Sequence, residues 1–217
     1  MKIYYEDNHL LVVKKSANQP VQEDSSGDLD SLNMAKNYIK TTYNKPGNVF
    51  LGLVHRLDRP VSGILVFAKT SKAASRLSNQ IRLNSWRKNY LAVCVGKVEK
   101  GQVVDYLVKD HKTNTSYVTS KEKGKKSILE VIDVKYNKTQ NLSLVSINLI
   151  TGRSHQIRVQ LANRGTPIWG DARYNRNAKP GQQIALFANE LEIEHPTLKK
   201  RLVFSDLAPS VYPFTLW

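Results

Sequence analysis

One carboxylate, Asp58, stands between two arginines in His55-Arg56-Leu57-Asp58-Arg59-Pro60-Val61-Ser62-Gly63, just ahead of the apolar run Ile64 to Ala68. A carboxylate beside fixed cations is kept ionised, because a nearby opposite charge favours its charged form. Ionised, it can act as a nucleophile or a base. Arg-Asp groupings also fasten turns as structural ion pairs, so spacing alone leaves both readings open. A second polar cluster is Thr151-Gly152-Arg153-Ser154-His155-Gln156-Ile157-Arg158-Val159, followed by Pro167-Ile168-Trp169-Gly170-Asp171-Ala172-Arg173-Tyr174.

Rival chemistries lack their residues. Retaining glycosidases need two carboxylates about 5–5.5 Å apart; Asp171 is the second acid in the motifs, and its Gly-Asp setting reads as a turn. The five histidines, at 9, 55, 111, 155 and 195, have no metal-ligand spacing, and no metal is expected. Gly-rich phosphate loops are absent from the sequence as well.

The elements that must carry these residues can be read from periodicity. Leu10 to Val13 reads as a first strand ended by Lys14-Lys15, and Gln22 to Asp30 as loop. Leu32, Ala35 and Ile39 predict a helix capped by Asp30 or Ser31 and closed by the Lys45-Pro46-Gly47-Asn48 turn; Ala73, Leu77 and Ile81 predict a second. Ile64 to Ala68, Tyr90 to Val95, Ile128 to Val134 and Leu142 to Ile150 have strand length and composition. From Ser154 onward, Ile157, Leu161 and the stop at Gly165 predict a short helix capped by Thr151 or Ser154, with Arg158 in its first turns. Strands and helices mix without strict alternation, which predicts an α+β fold around a mixed, largely antiparallel sheet with flanking helices and a central cleft. Lys109 to Lys126 is polar and basic, and reads as an edge segment that is either a solvated hairpin or an RNA contact.

At 217 residues the chain can bury a core without staples, and a single domain over 1–217 is expected. Its 33 Lys plus Arg against 18 Asp plus Glu give +15, which calls for a polyanionic partner or an anionic surface. Residues 1–30 hold three lysines and six acids, so the remainder carries +18. The single Cys94 excludes an intrachain disulfide and predicts a reducing compartment. With no signal-peptide core and no stretch near the ~18 apolar residues of a span, a soluble cytoplasmic protein is expected.

The order His-Arg-Leu-Asp-Arg, then Ser62-Gly63 and an apolar strand, resembles the catalytic-aspartate motif of the RluA-type RNA pseudouridine synthases. The Thr151 to Val159 and Pro167 to Tyr174 blocks resemble that family's second signature, and the likeness runs roughly from Glu6-Asp7 to Phe204. The resemblance implies an enzyme that isomerises uridine in structured ribosomal or transfer RNA to pseudouridine, without cofactor or metal. It implies Asp58 as the catalytic carboxylate at the ribose, Tyr90 as the residue stacking on the target base, and Arg158 as the partner of the aspartate. Leu186 would pack against the tyrosine. Arg56, Arg59, Arg153, His155 and Gln156 would lie on the substrate side, Arg59 filling the space left by the flipped nucleotide; no chemical step requires a histidine. A monomer acting on RNA and away from membranes is expected.

Two departures stand out. Where the family has Lys-Pro, a small residue and Gly, this chain has Lys15-Ser16-Ala17-Asn18, and Val61 replaces a common threonine. Asn can visit the left-handed region that the missing glycine would supply. No N-terminal S4-type RNA-binding domain is expected. A non-catalytic RNA-binding protein of the same fold and a hydrolase of N-glycosidic bonds are the alternatives.

Overall fold

The computed structural model describes residues 1–217, which gather into two compact units, Met1–Trp86 with Glu190–Asp206 and Arg87–Asn189 with Leu207–Trp217. In the first unit the strands β1 (Ile3–Glu6), β2 (Leu10–Lys15), β3 (Gly52–Leu53) and β4 (Ser62–Ala68) are joined by two helices, α1 (Ser31–Thr42) and α2 (Ser71–Arg82). β4 pairs antiparallel with β2, from Leu10 opposite Ala68 to Lys15 opposite Gly63, and β1 pairs antiparallel with β2.

The unbroken apolar runs of β2 and β4 have a physical cause: both faces of this sheet are covered. Successive side chains in a strand point to opposite faces. Leu10, Val12, Ile64 and Val66 meet Ala73 and Leu77 of α2, whereas Leu11, Val13, Leu65 and Phe67 meet Ala35 and Ile39 of α1. The helix starts follow the sequence: the Asp30 carboxylate accepts from the Asn33 N–H and Thr70 from the Ala73 N–H, each satisfying a donor with no intrahelical partner. α1 ends at Thr42, short of the Lys45-Pro46-Gly47-Asn48 turn, with Asn44 taking a positive φ of 47°.

In the second unit β5 (Arg87–Val95), β6 (Gly101–Asp110), β7 (Thr115–Thr119), β8 (Lys125–Asn137) and β9 (Leu142–Leu149) form an antiparallel sheet in the order β5-β9-β8-β6-β7. The helix α3 (Gln156–Asn163) follows β9. The basic segment 109–126 runs from the end of β6 through β7, which pairs with β6 at the sheet edge, to the first residues of β8. The last strands are β10 (Leu186–Glu194) and β11 (Arg201–Ser205); Glu190 to Glu194 pair antiparallel with β11, and Leu191 and Ile193 join the α2-facing core of the first unit. The expected α+β, largely antiparallel architecture is the one observed, with β1, β3, β6, β7, β10 and β11 added to the strands the sequence predicted.

Candidate active site

Asp58 lies on the turn into β4, and the turn is fastened from four sides. The Val61 N–H closes it onto the Asp58 carbonyl at 2.9 Å, and Leu57 and Val61 are buried to either side, at 7% and 2% exposure. His55 accepts the Val66 N–H on Nε2 at 2.9 Å and stands edge-on to Trp86, which ties the approach to the turn onto β4 itself. A histidine accepting on Nε2 carries its proton on Nδ1, so this bond fixes the tautomer and orientation of the ring.

Lys15 supplies the fourth fastening. It is 0% exposed, and its ammonium donates to the carbonyls of Ser16 at 2.9 Å, Gln19 at 2.7 Å and Arg59 at 2.8 Å. All three of its donors are used. Burial, aided by the charge of Arg59, pulls its pKa down to about 7 against the upward pull of the neighbouring Asp58 charge. The loop that carries two of these carbonyls lacks the family's proline and glycine, and Asn18 takes the left-handed conformation instead, with φ 59°. The anticipated substitution of Asn for Gly in that region is therefore what the backbone does.

The two arginines flanking Asp58 do not clamp it as their spacing suggested. Arg59 directs its guanidinium to Asp24, at 3.1 Å, to the Ser26 hydroxyl and to Asp28, while Arg56 is exposed. The acidic loop 24–28, read from sequence only as loop, is what draws Arg59 away. Lys15 is a buried cation that shares its field with Asp58.

In the second unit Tyr90 is nearly buried in β5, at 9% exposure, opposite Ile147 of β9. Leu186 is 4% exposed at the start of β10, and its neighbour Ala185 accepts the Val93 N–H of β5 at 2.9 Å. Lys88, two residues before Tyr90 and so on the same face of β5, reaches the turn ahead of α3: a Cβ on Gly152 would meet its Nζ at 3.7 Å.

That turn is held by Gln156. Its Oε1 accepts from the Thr151 hydroxyl at 2.8 Å and from the Arg153 N–H at 3.0 Å, and the residue is 2% exposed. The predicted cap by Thr151 or Ser154 is not formed; His155 occupies the cap position at φ 54°, ψ 22°, with no side-chain cap bond. Thr151 is drawn off by Gln156 and by the Ile128 N–H. His155 Nδ1 and the Tyr174 hydroxyl are hydrogen-bonded at 2.8 Å, and that hydroxyl also accepts the Ser116 N–H. Arg153 is exposed, with Nε donating to the Lys126 carbonyl at 3.3 Å.

Arg158 is 5% exposed on α3 and meets a partner that its sequence neighbours do not announce. Its Nε donates to Asp171 Oδ2 at 2.9 Å and its Nη2 to Oδ1 at 2.7 Å, a bidentate pair whose carboxylate also accepts the Arg173 N–H. The Tyr174 ring lies under the guanidinium at 5.2 Å. Asp171 is placed by Gly170, whose φ of 73° brings its Cα so near the Gln183 carbonyl that a Cβ would meet the oxygen at 2.5 Å. Only glycine fits such a contact. The Gly-Asp turn expected from sequence is therefore present, and its aspartate also orients Arg158.

The sequence pattern of the RNA pseudouridylate synthase family matches residues 9–163, a span that contains Asp58, Tyr90 and Arg158. The chain belongs to that family. Its RluA-type members include two similar proteins. An uncharacterised RNA pseudouridine synthase of Bacillus subtilis is 32% identical over 94% of this chain and 67% of its own length. The ribosomal large subunit pseudouridine synthase C of Buchnera aphidicola is 33% identical over 98% of this chain and 68% of its own length. The chain thus spans about two thirds of these relatives. The solved structure of human RNA pseudouridylate synthase domain containing 4 shares the fold, with a TM-score of 0.78 at 23% identity over 99% of this chain and 90% of that one. Family membership makes this chain an isomerase that converts uridine in RNA to pseudouridine. No helix of the chain is long and apolar enough to cross a membrane.

Proposed function

We propose that this protein isomerises uridines of large-subunit ribosomal RNA, with Asp58 as the catalytic carboxylate, Tyr90 stacked on the target base and Arg158 completing the site. The observation that carries the reading is the run of family motifs over 9–163 together with relatives whose names specify ribosomal RNA. The protein acts as a monomer in the cytoplasm, with residues 1–217 as one catalytic domain.

The reaction breaks the N1–C1′ bond, joins C5 to C1′, releases the C5 proton to solvent and returns a proton to N1, so the product has the mass of the substrate. A uridine inside a folded RNA is reached only after it leaves the stack, at a cost of a few kcal/mol. Base stacking on an aromatic ring contributes about 1–3 kcal/mol toward it. Asp58 works at the ribose from a turn that His55 and Lys15 hold rigid, and a preorganised charge of this kind needs no rearrangement when the bond breaks. Leu186 walls the tyrosine. Arg56, Arg59 and Arg153 are the RNA-facing cations, Arg59 released from Asp24 and Asp28 when the nucleotide flips. His155 and Gln156 serve the substrate by holding the turn between β9 and α3.

The test uses C5-tritiated ribosomal and transfer RNA from cells lacking the protein. Tritium released from the ribosomal fraction, at unchanged mass, supports the reading. Release from transfer RNA alone overturns the substrate assignment. Free uracil identifies a hydrolase, and binding without release a non-catalytic RNA-binding protein; either overturns the reading.

A further inference from the structure

A groove of about 360 Å³ runs along the second unit beside the turn that precedes α3. Lys109, His111, Lys123, Lys125 and Arg153 line it, and no carboxylate does. Lys109 and Lys125 come from the end of β6 and the start of β8, and His111 and Lys123 from the turns next to them, so this edge brings its lysines to the same place as the second family motif.

Lys88 extends this cluster inward. Its Nζ lies against Gly152 in the wall of the groove, and burial, then the charge of Arg153, pull its pKa down to about 8 with no carboxylate to offset them. The Arg153 guanidinium spends its bond on a backbone carbonyl rather than an acid. Two cations brought together without a counterion, Lys88 among them partly desolvated, destabilise the free protein. A bound anion removes that cost, and phosphate suits both the arginine fork and the lysine point charge.

We propose that this groove is a track for the RNA backbone next to the target uridine, with Lys109, Lys123 and Lys125 on successive phosphates and Lys88 and Arg153 closing on one phosphate between the track and Tyr90. The inference rests on the pseudouridine synthase reading and deepens it, since it states where the strand lies as it approaches the site. The position of Lys88 fits: it shares a strand face with Tyr90 and reaches the groove at its other end.

The test measures binding of a fluorescein-labelled RNA stem-loop with a uridine-rich loop to the full chain across a potassium chloride series. Removing one phosphate-binding cation lowers the slope of log affinity against log salt by about 0.7–0.9. The double variant Lys123→Ala/Lys125→Ala is expected to lower it by about twice that amount. The charge-matched Lys135→Ala/Lys138→Ala, on the exposed end of β8 and its turn, is expected to keep the parent slope. Lys88→Met is expected to weaken RNA binding while melting no lower than the parent, because it removes a half-buried charge that has no acid. Equal slopes for the two double variants, or a Lys88→Met protein that melts lower and binds RNA as well as the parent, would overturn the proposal. Tritium release by the parent separates the two claims: release with unaltered groove slopes sinks the track alone, and altered slopes without release sink the enzyme reading alone.

Discussion

Arg158 and Asp171 are joined by two charge-assisted hydrogen bonds, at 2.9 and 2.7 Å, with side chains 6% and 0% exposed. A bidentate pair fixes the plane and direction of a guanidinium as well as its position. Asp171 therefore aims Arg158, and it in turn is fixed by the Gly170 turn and the Arg173 N–H.

Asp171→Asn keeps the shape of the side chain but lowers the charge and the number of acceptor sites facing Arg158. Breaking one side of a buried pair costs about 3–5 kcal/mol, and the surviving amide oxygen puts the expected loss near the low end, about 3 kcal/mol. Urea unfolding of parent and variant measures it. A midpoint equal to the parent's contradicts the pairing.

Gly170→Ala probes the same turn from the backbone. A Cβ there meets the Gln183 carbonyl oxygen at 2.5 Å at a positive φ of 73°, so the backbone must shift. Strain of this kind costs about 1–3 kcal/mol. The expected result is a lower melting temperature together with a fall in kcat, as Asp171 and then Arg158 move; full activity in a destabilised variant would separate the turn from the site.

Lys15 gives a pH signature with a defined sign. Its pKa is about 7 in the folded protein and 10.5 in the free side chain, so between these values the unfolded chain holds the extra proton. Stability contributed at this site therefore rises as pH climbs from about 7 to about 10.5. Lys15→Met is expected to flatten that rise, read as the difference in urea midpoint between the two ends of the window. A parent and variant with parallel pH dependence would show that Lys15 is not the titrating group.

How much of this was legible in the sequence follows from range. Asp30 and Thr70 cap their helices through neighbours three residues on, and the β2 and β4 runs carry their own burial pattern, so local chemistry sufficed. The strands least evident from sequence are those with one wet face: β6 reads GQVVDYLVKD and β10 LFANELEIE, and their pairing is decided by partners far along the chain. The site behaves likewise. The motif residues were evident from their order, but Arg59 is drawn to Asp24 and Asp28, Arg158 is aimed by Asp171, and Thr151 is taken by Gln156 instead of capping α3. For Arg59 and Thr151 a competing partner brought in by folding outweighed the nearest one in sequence, and the Asp171 that meets Arg158 is placed by the Gly170 turn. A buried lysine satisfied by three carbonyls had a single outward sign, the Lys15 that opens the altered family loop.

The central claim is that the Asp58 carboxylate carries the isomerisation, and its most direct test is tritium release from C5-tritiated ribosomal RNA by the parent and by Asp58→Asn at matched RNA occupancy. The amide keeps the shape of the side chain and loses its charge. The account predicts release by the parent, none by the variant, and RNA affinity close to equal in the two. Release by Asp58→Asn at the parent's rate would contradict it.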